Sequence, residues 1–291
     1  MTTDKGILII ACGHPFYGRM ALNLAASIKS VEPGMNIALR HAGSAVKYID
    51  QSQMNVFDDV ALIDESIYLT DKSKNNWIRT KLFLYDLSPF DKTIFIDADT
   101  LWLPKRKPSD LFDDLKDITL TFANYKRHDF NTVDDKERVW ANIKEVKDVY
   151  KLDSGYYYCL QSEMIYFTRT DDNRTFFEMA KIVYDNPKVK TTIFAGFVPD
   201  ELAFSITMAK MGLHPHVTPY YPTYWHPVQK HVNRDNLFDR HYLLSVGGAF
   251  QTDYVKDLYN TLASVAFRKL QMETPWKYFN KRQWLPERKT I

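Results

Sequence analysis

Thr93-Ile94-Phe95-Ile96-Asp97-Ala98-Asp99-Thr100-Leu101 is an apolar run that ends in two carboxylates one residue apart. In an extended strand, positions i and i+2 share a face. The spacing therefore predicts that Asp97 and Asp99 project together where Ile94, Phe95 and Ile96 cease to be buried. Two hard oxygen donors there suit Mg²⁺ or Mn²⁺, ions that keep open positions for substrate phosphates. The carboxyl edge of a sheet is also where α/β proteins place ligands. The competing reading is a strand end followed by an ordinary Asp-rich turn.

Upstream, the apolar residues 7–11 and the helical spacing of Met20, Leu22, Leu24 and Ile28 within residues 19–30 predict strand, loop and helix. Glu32-Pro33-Gly34 stops that helix, and residues 36–40 suggest a second strand. Such a βαβ opening builds a parallel, helix-flanked sheet, with His14-Pro15-Phe16-Tyr17 at the joint that faces ligands. A helix is expected over residues 77–87, broken near Ser88-Pro89 ahead of the carboxylate strand. Residues 105–150 are charged and Asp-rich and read as loops with a strand at 118–122 and some helix. Further on, residues 164–168 read as a strand, 173–185 as an amphipathic helix with Phe176, Phe177, Met179, Ile182 and Val183 inward, and 201–211 as a helix. There is no internal repeat and no Gly/Ser-rich linker, so one core over residues 1–250 with an extension over 251–291 is expected.

The 291 residues are 45% hydrophobic and 25% charged, with two cysteines, Cys12 and Cys159, a composition of globular rather than disulfide-framed proteins. A reducing compartment follows, and with no leader-like start and no long apolar stretch the expectation is a cytoplasmic protein. The net charge of +2 does not by itself imply a nucleic-acid partner. The charge is uneven, however. Residues 268–291 carry Arg268, Lys269, Lys277, Lys281, Arg282, Arg288 and Lys289 against Glu273 and Glu287, so the remainder of the chain is net acidic. Trp276, Tyr278, Phe279 and Trp284 lie among these cations, a combination suited to anionic headgroups, to nucleic acid, or to packing on the domain with the cations solvated.

Residues 80–103, with Lys81, the Phe90-Asp91-Lys92 turn and Asp97-Ala98-Asp99-Thr100-Leu101, resemble the helix-turn-strand that carries the metal site in glycogenin-like glycosyltransferases of family 8. Pro15-Phe16-Tyr17-Gly18-Arg19-Met20-Ala21 is similar to that family's first loop and helix. The resemblance implies a GT-A-like, Rossmann-like α/β fold: a mixed, mainly parallel sheet with helices on both faces. It implies transfer of a sugar, with retention, from a nucleoside-diphosphate donor such as a UDP-sugar to an acceptor hydroxyl, with Mn²⁺ or Mg²⁺ as cofactor. Asp97 and Asp99 would hold the ion, Lys81 would add charge at the donor, Tyr17 would stack the base, and Cys12 and Ala98 would line the donor site. Tyr17 also has a packing role open to it at the helix start.

Val198-Pro199-Asp200-Glu201-Leu202 resembles the family's acidic pair near the acceptor, where the second position is more often glutamine, and this assigns Asp200 to acceptor or sugar. Asp200 is equally suited to capping a helix. Either Gln161-Ser162-Glu163 or Asp153-Ser154-Gly155 could occupy the place of the family's Asn-Ser-Gly. The third metal ligand is assigned to His241 ahead of His226 and His231, although Leu244 and Gly247 stand where the family has glycine and lysine. The main chain of Gly247 and Gly248 would then serve the diphosphate. Acceptors that fit are a glycan or lipooligosaccharide, a hydroxymethylated base in phage DNA, and a protein tyrosine, given Tyr156-Tyr157-Tyr158.

A haloacid-dehalogenase-like phosphatase is the chief rival, with Asp97 as nucleophile and Asp99 as general acid. It is disfavoured because a βαβ unit precedes the motif and no glycine is followed by Asp. Nucleotidyl transfer lacks a Gly-rich phosphate loop near residue 13, and a plain binding module leaves the paired carboxylates unexplained.

Overall fold

The Ile7–Ala11 stretch is buried throughout, as a strand covered on both faces must be. The computed structural model describes residues 3–47, 49–70, 74–134, 136–152, 155–216, 223–225, 234–246 and 253–273. The strands are β1 (Thr3–Ala11), β2 (Ile37–His41), β3 (Asp59–Leu62), β4 (Leu69–Thr70), β5 (Lys74–Asn75), β6 (Phe90–Asp97), β7 (Thr100–Trp102), β8 (Leu120–Asp129), β9 (Tyr156–Thr168), β10 (Thr223–Trp225) and β11 (Leu243–Ser245). The helices are α1 (Pro15–Val31), α2 (Glu65–Tyr68), α3 (Leu84–Leu87), α4 (Pro108–Asp114), α5 (Ile143–Tyr150), α6 (Asp171–Asp185), α7 (Asp200–Lys210), α8 (Arg234–Arg240) and α9 (Asp253–Lys269).

Six strands form a mixed sheet in the order β3-β2-β1-β6-β9-β8. Strands β2 and β3 run parallel, whereas β9 is antiparallel to both β6 and β8. Smaller sheets are β10-β11-β7 and β4-β5. The chain divides into two compact units, each drawn from three stretches: Met1–Leu8, Ile63–Ile96 and Leu115–Pro219 in the first; Ile9–Leu62, Asp97–Asp114 and Tyr220–Ile291 in the second.

In the first unit, α6 and α7 bury a cluster of rings, with Phe176 stacked on Phe204 at 5.9 Å and Phe122 tilted against Phe204 at 5.3 Å. Thr170 caps α6 by accepting from the Asn173 amide. The expected helix at 77–87 is a 3₁₀ turn over Trp77–Phe83 that passes into α3. The Thr80 hydroxyl donates to the Trp77 carbonyl three residues back, at 2.6 Å, a spacing that matches the tighter winding. The expected strands at 118–122 and 164–168 are parts of longer ones, and Tyr156-Tyr157-Tyr158 begins β9.

In the second unit, α1 starts with His14 accepting from the Phe16 amide and Pro15 in the first turn, the position where its missing N–H costs nothing. Gly18 lets α1 approach the segment around Ala45: a Cβ there would lie 2.0 Å from the Ala45 carbonyl oxygen. Helix α9 packs on α1, with Asn23 Nδ2 donating to the Tyr259 hydroxyl at 3.3 Å. Val255, Tyr259, Ala263 and Phe267 are buried, so the described part of the expected 251–291 extension packs into this unit. Their helical spacing along α9 is that of an apolar face. Residues 274–291, which hold most of the basic and aromatic tail, lie outside the described residues. Among the described residues no helix is long and apolar enough to cross a membrane.

Candidate active site

In the second unit, β6 ends at Asp97, and Ala98 and Asp99 form the turn that leads into β7. The strict strand alternation expected of the pair therefore stops at its first member. Asp97 and Asp99 are both partly exposed, while Ala98 between them is buried. Strand β11 is antiparallel to β7, pairing Ser245 with Thr100 and Leu243 with Trp102. The ladder continues at both ends: the Val246 amide donates to the Asp99 carbonyl at 3.0 Å, and the Leu103 amide to the Tyr242 carbonyl at 2.8 Å.

That register bears on the third ligand, which the resemblance assigns to His241. Val246 stands across from Asp99, while His241 precedes the other end of the ladder, and among the described residues no group of three His, Cys, Asp or Glu side chains could hold a metal ion. His241 is 2% exposed. Strand β10 runs parallel to β11 and pairs Trp225 with Ser245, so β10 ends level with the Asp99 end of the ladder. His226, His231, Gly247 and Gly248 lie outside the described residues.

Tyr17 sits in the first turn of α1, its ring 4.9 Å from that of Phe16 and tilted against it. Cys12 closes β1 and is buried, which pushes its thiol up to about 12 and keeps it un-ionised.

The first unit holds a second polar group. Lys81, late in the 3₁₀ turn, directs its ammonium to the Ser162 hydroxyl at 3.2 Å and the Ser162 carbonyl at 3.4 Å. It also faces Asp200 Oδ2 at 3.7 Å and lies 5.7 Å from the centre of the Phe95 ring. Asp200 is not the helix cap. Pro199 holds the cap position of α7, and Asp200 is the first helical residue, 7% exposed, with Oδ2 lacking a hydrogen-bond partner among the described residues. A carboxylate in the first helical turn is favoured by the helix dipole, yet its burial beside Lys81 goes beyond what helix initiation requires.

Glu201, next in the chain, accepts from the Trp140 indole N–H at 2.7 Å and from the Ser162 amide at 3.2 Å. Burial, then the neighbouring charges of Asp200 and Glu163, push its carboxyl up to about 8 against the opposing effects of Trp140 and Lys81. A carboxyl that titrates in this range can hold or release a proton near neutrality, as acid–base work requires. Of the two segments competing for the Asn-Ser-Gly place, Ser162 is the one brought to this group; Asp153 and Ser154 lie outside the described residues. Sequence reading passed over Trp140 and gave no role to Glu201. The available signal was a lone tryptophan in a charged stretch, just ahead of the Asn142 cap of α5.

The raised carboxyl has a consequence for stability. The folded chain keeps a proton that the unfolded chain releases, so stability falls as pH rises from the ordinary carboxylate range through about 8 and levels off above it. Glu201→Gln is expected to remove that slope, stabilising the protein by about 1–3 kcal/mol at alkaline pH relative to the same comparison in acid. Thermal unfolding of both proteins across the pH range checks this; parallel curves would refute it.

No protein-family model and no curated protein matches the chain. Solved structures do match. The chain is similar to the bifunctional glycosyltransferase WbbM in its apo form, with TM-score 0.59 and 13% identity over 95% of this chain and 51% of that one. The fold is the GT-A glycosyltransferase fold. The galactosyltransferase LgtC, in complex with donor and acceptor sugar analogues, gives TM-score 0.53 and 15% identity over 89% of this chain and 95% of that one. The apo form of the glycosyltransferase GlyE of Streptococcus pneumoniae TIGR4 gives 0.54 and 13% over 96% and 66%. The chain spans about half the length of WbbM.

Proposed function

We propose that this protein is a metal-dependent glycosyltransferase, resembling family 8, that moves a sugar from a nucleoside-diphosphate donor, a UDP-sugar by preference, to a hydroxyl of a glycan acceptor. The observation that carries the reading is the Asp97-Ala98-Asp99 turn at the carboxyl end of β6 in a GT-A sheet. Two partly exposed carboxylates at a strand end match what Mg²⁺ or Mn²⁺ takes from a protein when diphosphate oxygens supply the rest. When bound there, such an ion would neutralise the leaving diphosphate.

The chain's own residues divide the remaining work. Tyr17, in the first turn of α1, offers a ring to the base, and Ala98 keeps the carboxylate turn small at the donor. Lys81 contributes positive charge on the donor side, with Asp200 holding the ammonium in place and itself available to an acceptor hydroxyl. Glu201, near neutrality in its proton affinity, is placed beside Asp200 to take up or return a proton.

For a third protein ligand we take His226 ahead of His241, since Val246 rather than His241 stands across from Asp99. His226→Ala is expected to weaken Mn²⁺ binding at least tenfold, whereas His241→Ala leaves it unchanged once folding is verified; paramagnetic titration with Mn²⁺ reads both. The reverse pattern would restore His241. For the reaction itself, release of nucleoside diphosphate from a UDP-sugar in Mn²⁺ is the expected activity. Metal-dependent release of phosphate from a generic phosphate ester instead would mean phosphatase chemistry on Asp97.

A further inference from the structure

Four aromatic rings gather around one exposed turn in the first unit. Phe194 and Phe197 bracket a two-residue hairpin closed by amide bonds in both directions, Phe194 N to Phe197 O at 2.8 Å and Phe197 N to Phe194 O at 2.9 Å. Ala195 and Gly196 both take positive φ, 52° and 91°, as the mirror-image hairpin turn requires. Phe194 is 50% exposed, and its ring meets Trp140 edge-on at 5.9 Å. Phe197 meets Trp77 edge-on at 5.6 Å.

Two links tie this turn to the polar group described above. The indole N–H of Trp140 donates to Glu201 at 2.7 Å, and Trp77 opens the 3₁₀ turn that carries Lys81. The segment is also held flat by the Ala141–Thr191 bridge and by the Thr192 amide on the Trp140 carbonyl at 2.6 Å. An exposed aromatic surface has therefore been built beside groups suited to proton transfer, and core packing does not account for a half-exposed Phe194 at its tip.

We infer that this aromatic turn is an acceptor platform, on which Phe194, supported by Trp140, stacks against the C–H face of a pyranose ring in the acceptor glycan. The inference rests on the glycosyl-transfer reading and adds to it the place and chemistry of acceptor binding. A pyranose presents axial C–H groups on one face and hydroxyls around its rim; the first suit the electron-rich face of an aromatic ring, and the second need polar neighbours. Thr192, Lys190 and Arg138 are exposed around the turn and supply those. Aliphatic residues alone would suit lipid as well as sugar, and exposed Ile193 and Val139 make an anionic lipid surface the rival occupant.

The test uses the full chain and three disaccharides, cellobiose, maltose and lactose, titrated by NMR alongside a UDP-sugar with Mn²⁺. Wild type is expected to bind at least one disaccharide, Phe194→Leu to bind it about five- to tenfold more weakly, and Phe194→Trp to keep it, with UDP-sugar binding equal in all three. Leucine keeps the apolar surface and removes only the aromatic face, so a lipid-seeking tip would survive that change. No disaccharide binding up to the solubility limit, or binding indifferent to Phe194→Leu, overturns the platform. So does capture by phosphatidylglycerol vesicles that is retained in Phe194→Leu while saccharide binding is absent. Failure of wild type to bind any UDP-sugar would instead count against the transfer reading, whatever the disaccharides do.

Discussion

Replacing both carboxylates of the β6 turn, Asp97→Asn with Asp99→Asn, is expected to abolish metal-dependent binding of the sugar nucleotide and to lower transfer by at least about a thousandfold. Amides keep the size of the side chains but remove the anionic charge, so a hard divalent ion would lose the ligands proposed to hold it. The fold should survive, because Asp97 and Asp99 are partly exposed and the Val246 bond at this turn uses the Asp99 main-chain carbonyl. Single substitutions are expected to fall between wild type and the pair. Metal-independent binding of the free nucleotide, if the Tyr17 surface suffices for it, would persist in all three variants. A double variant that retained full metal-dependent donor affinity would remove the turn from the mechanism.

Removing the charge of Lys81 is expected to be nearly as damaging, for a different reason. Lys81→Met keeps most of the side chain's bulk but takes from the buried Oδ2 of Asp200 the Lys81 cation it faces, at a cost of about 1–3 kcal/mol in stability. On the donor-side role proposed for Lys81, transfer should fall by about a hundredfold. Asp200→Asn in the same background should restore most of the stability and none of the transfer. A double-mutant cycle over these variants separates the two effects: strong coupling in unfolding, with rate losses that the second substitution does not repair. Recovery of activity along with stability would reduce the pair to a structural role.

Those two expectations fall on residues that differ in how openly the sequence displays them. Asp97 and Asp99 are legible because a buried strand, Ile94 to Ile96, runs straight into them, and both the apolar run and the carboxylates are local features. The opening β1-α1-β2 is legible for the same reason, with Pro15 and the Glu32-Pro33-Gly34 stop marking its helix. The likeness of His241 to the family motif is local, while its setting is not: β11 pairs with β7 from more than a hundred residues away, and register over that span has no sequence signature. Trp140 and Glu201 were passed over on similar grounds, since the bond between them joins a loop to a helix start 61 residues on. Asp200 looked like a cap because Asp before an apolar helix usually is one; Pro199 took that position and freed the carboxylate for Lys81. Helix α9 was hidden by the charges that share its sequence, although Val255, Tyr259, Ala263 and Phe267 mark its buried face.

The central claim is that the carboxylate turn serves a sugar-nucleotide site. Calorimetric titration of the wild-type protein with UDP-, GDP-, CMP- and dTDP-sugars, each in Mn²⁺ and again with chelator, tests it most directly. Binding of one donor class, UDP-sugars first, that requires the metal and disappears with chelator is the predicted result. No donor bound in Mn²⁺, together with metal-dependent hydrolysis of a simple phosphate ester, would contradict it.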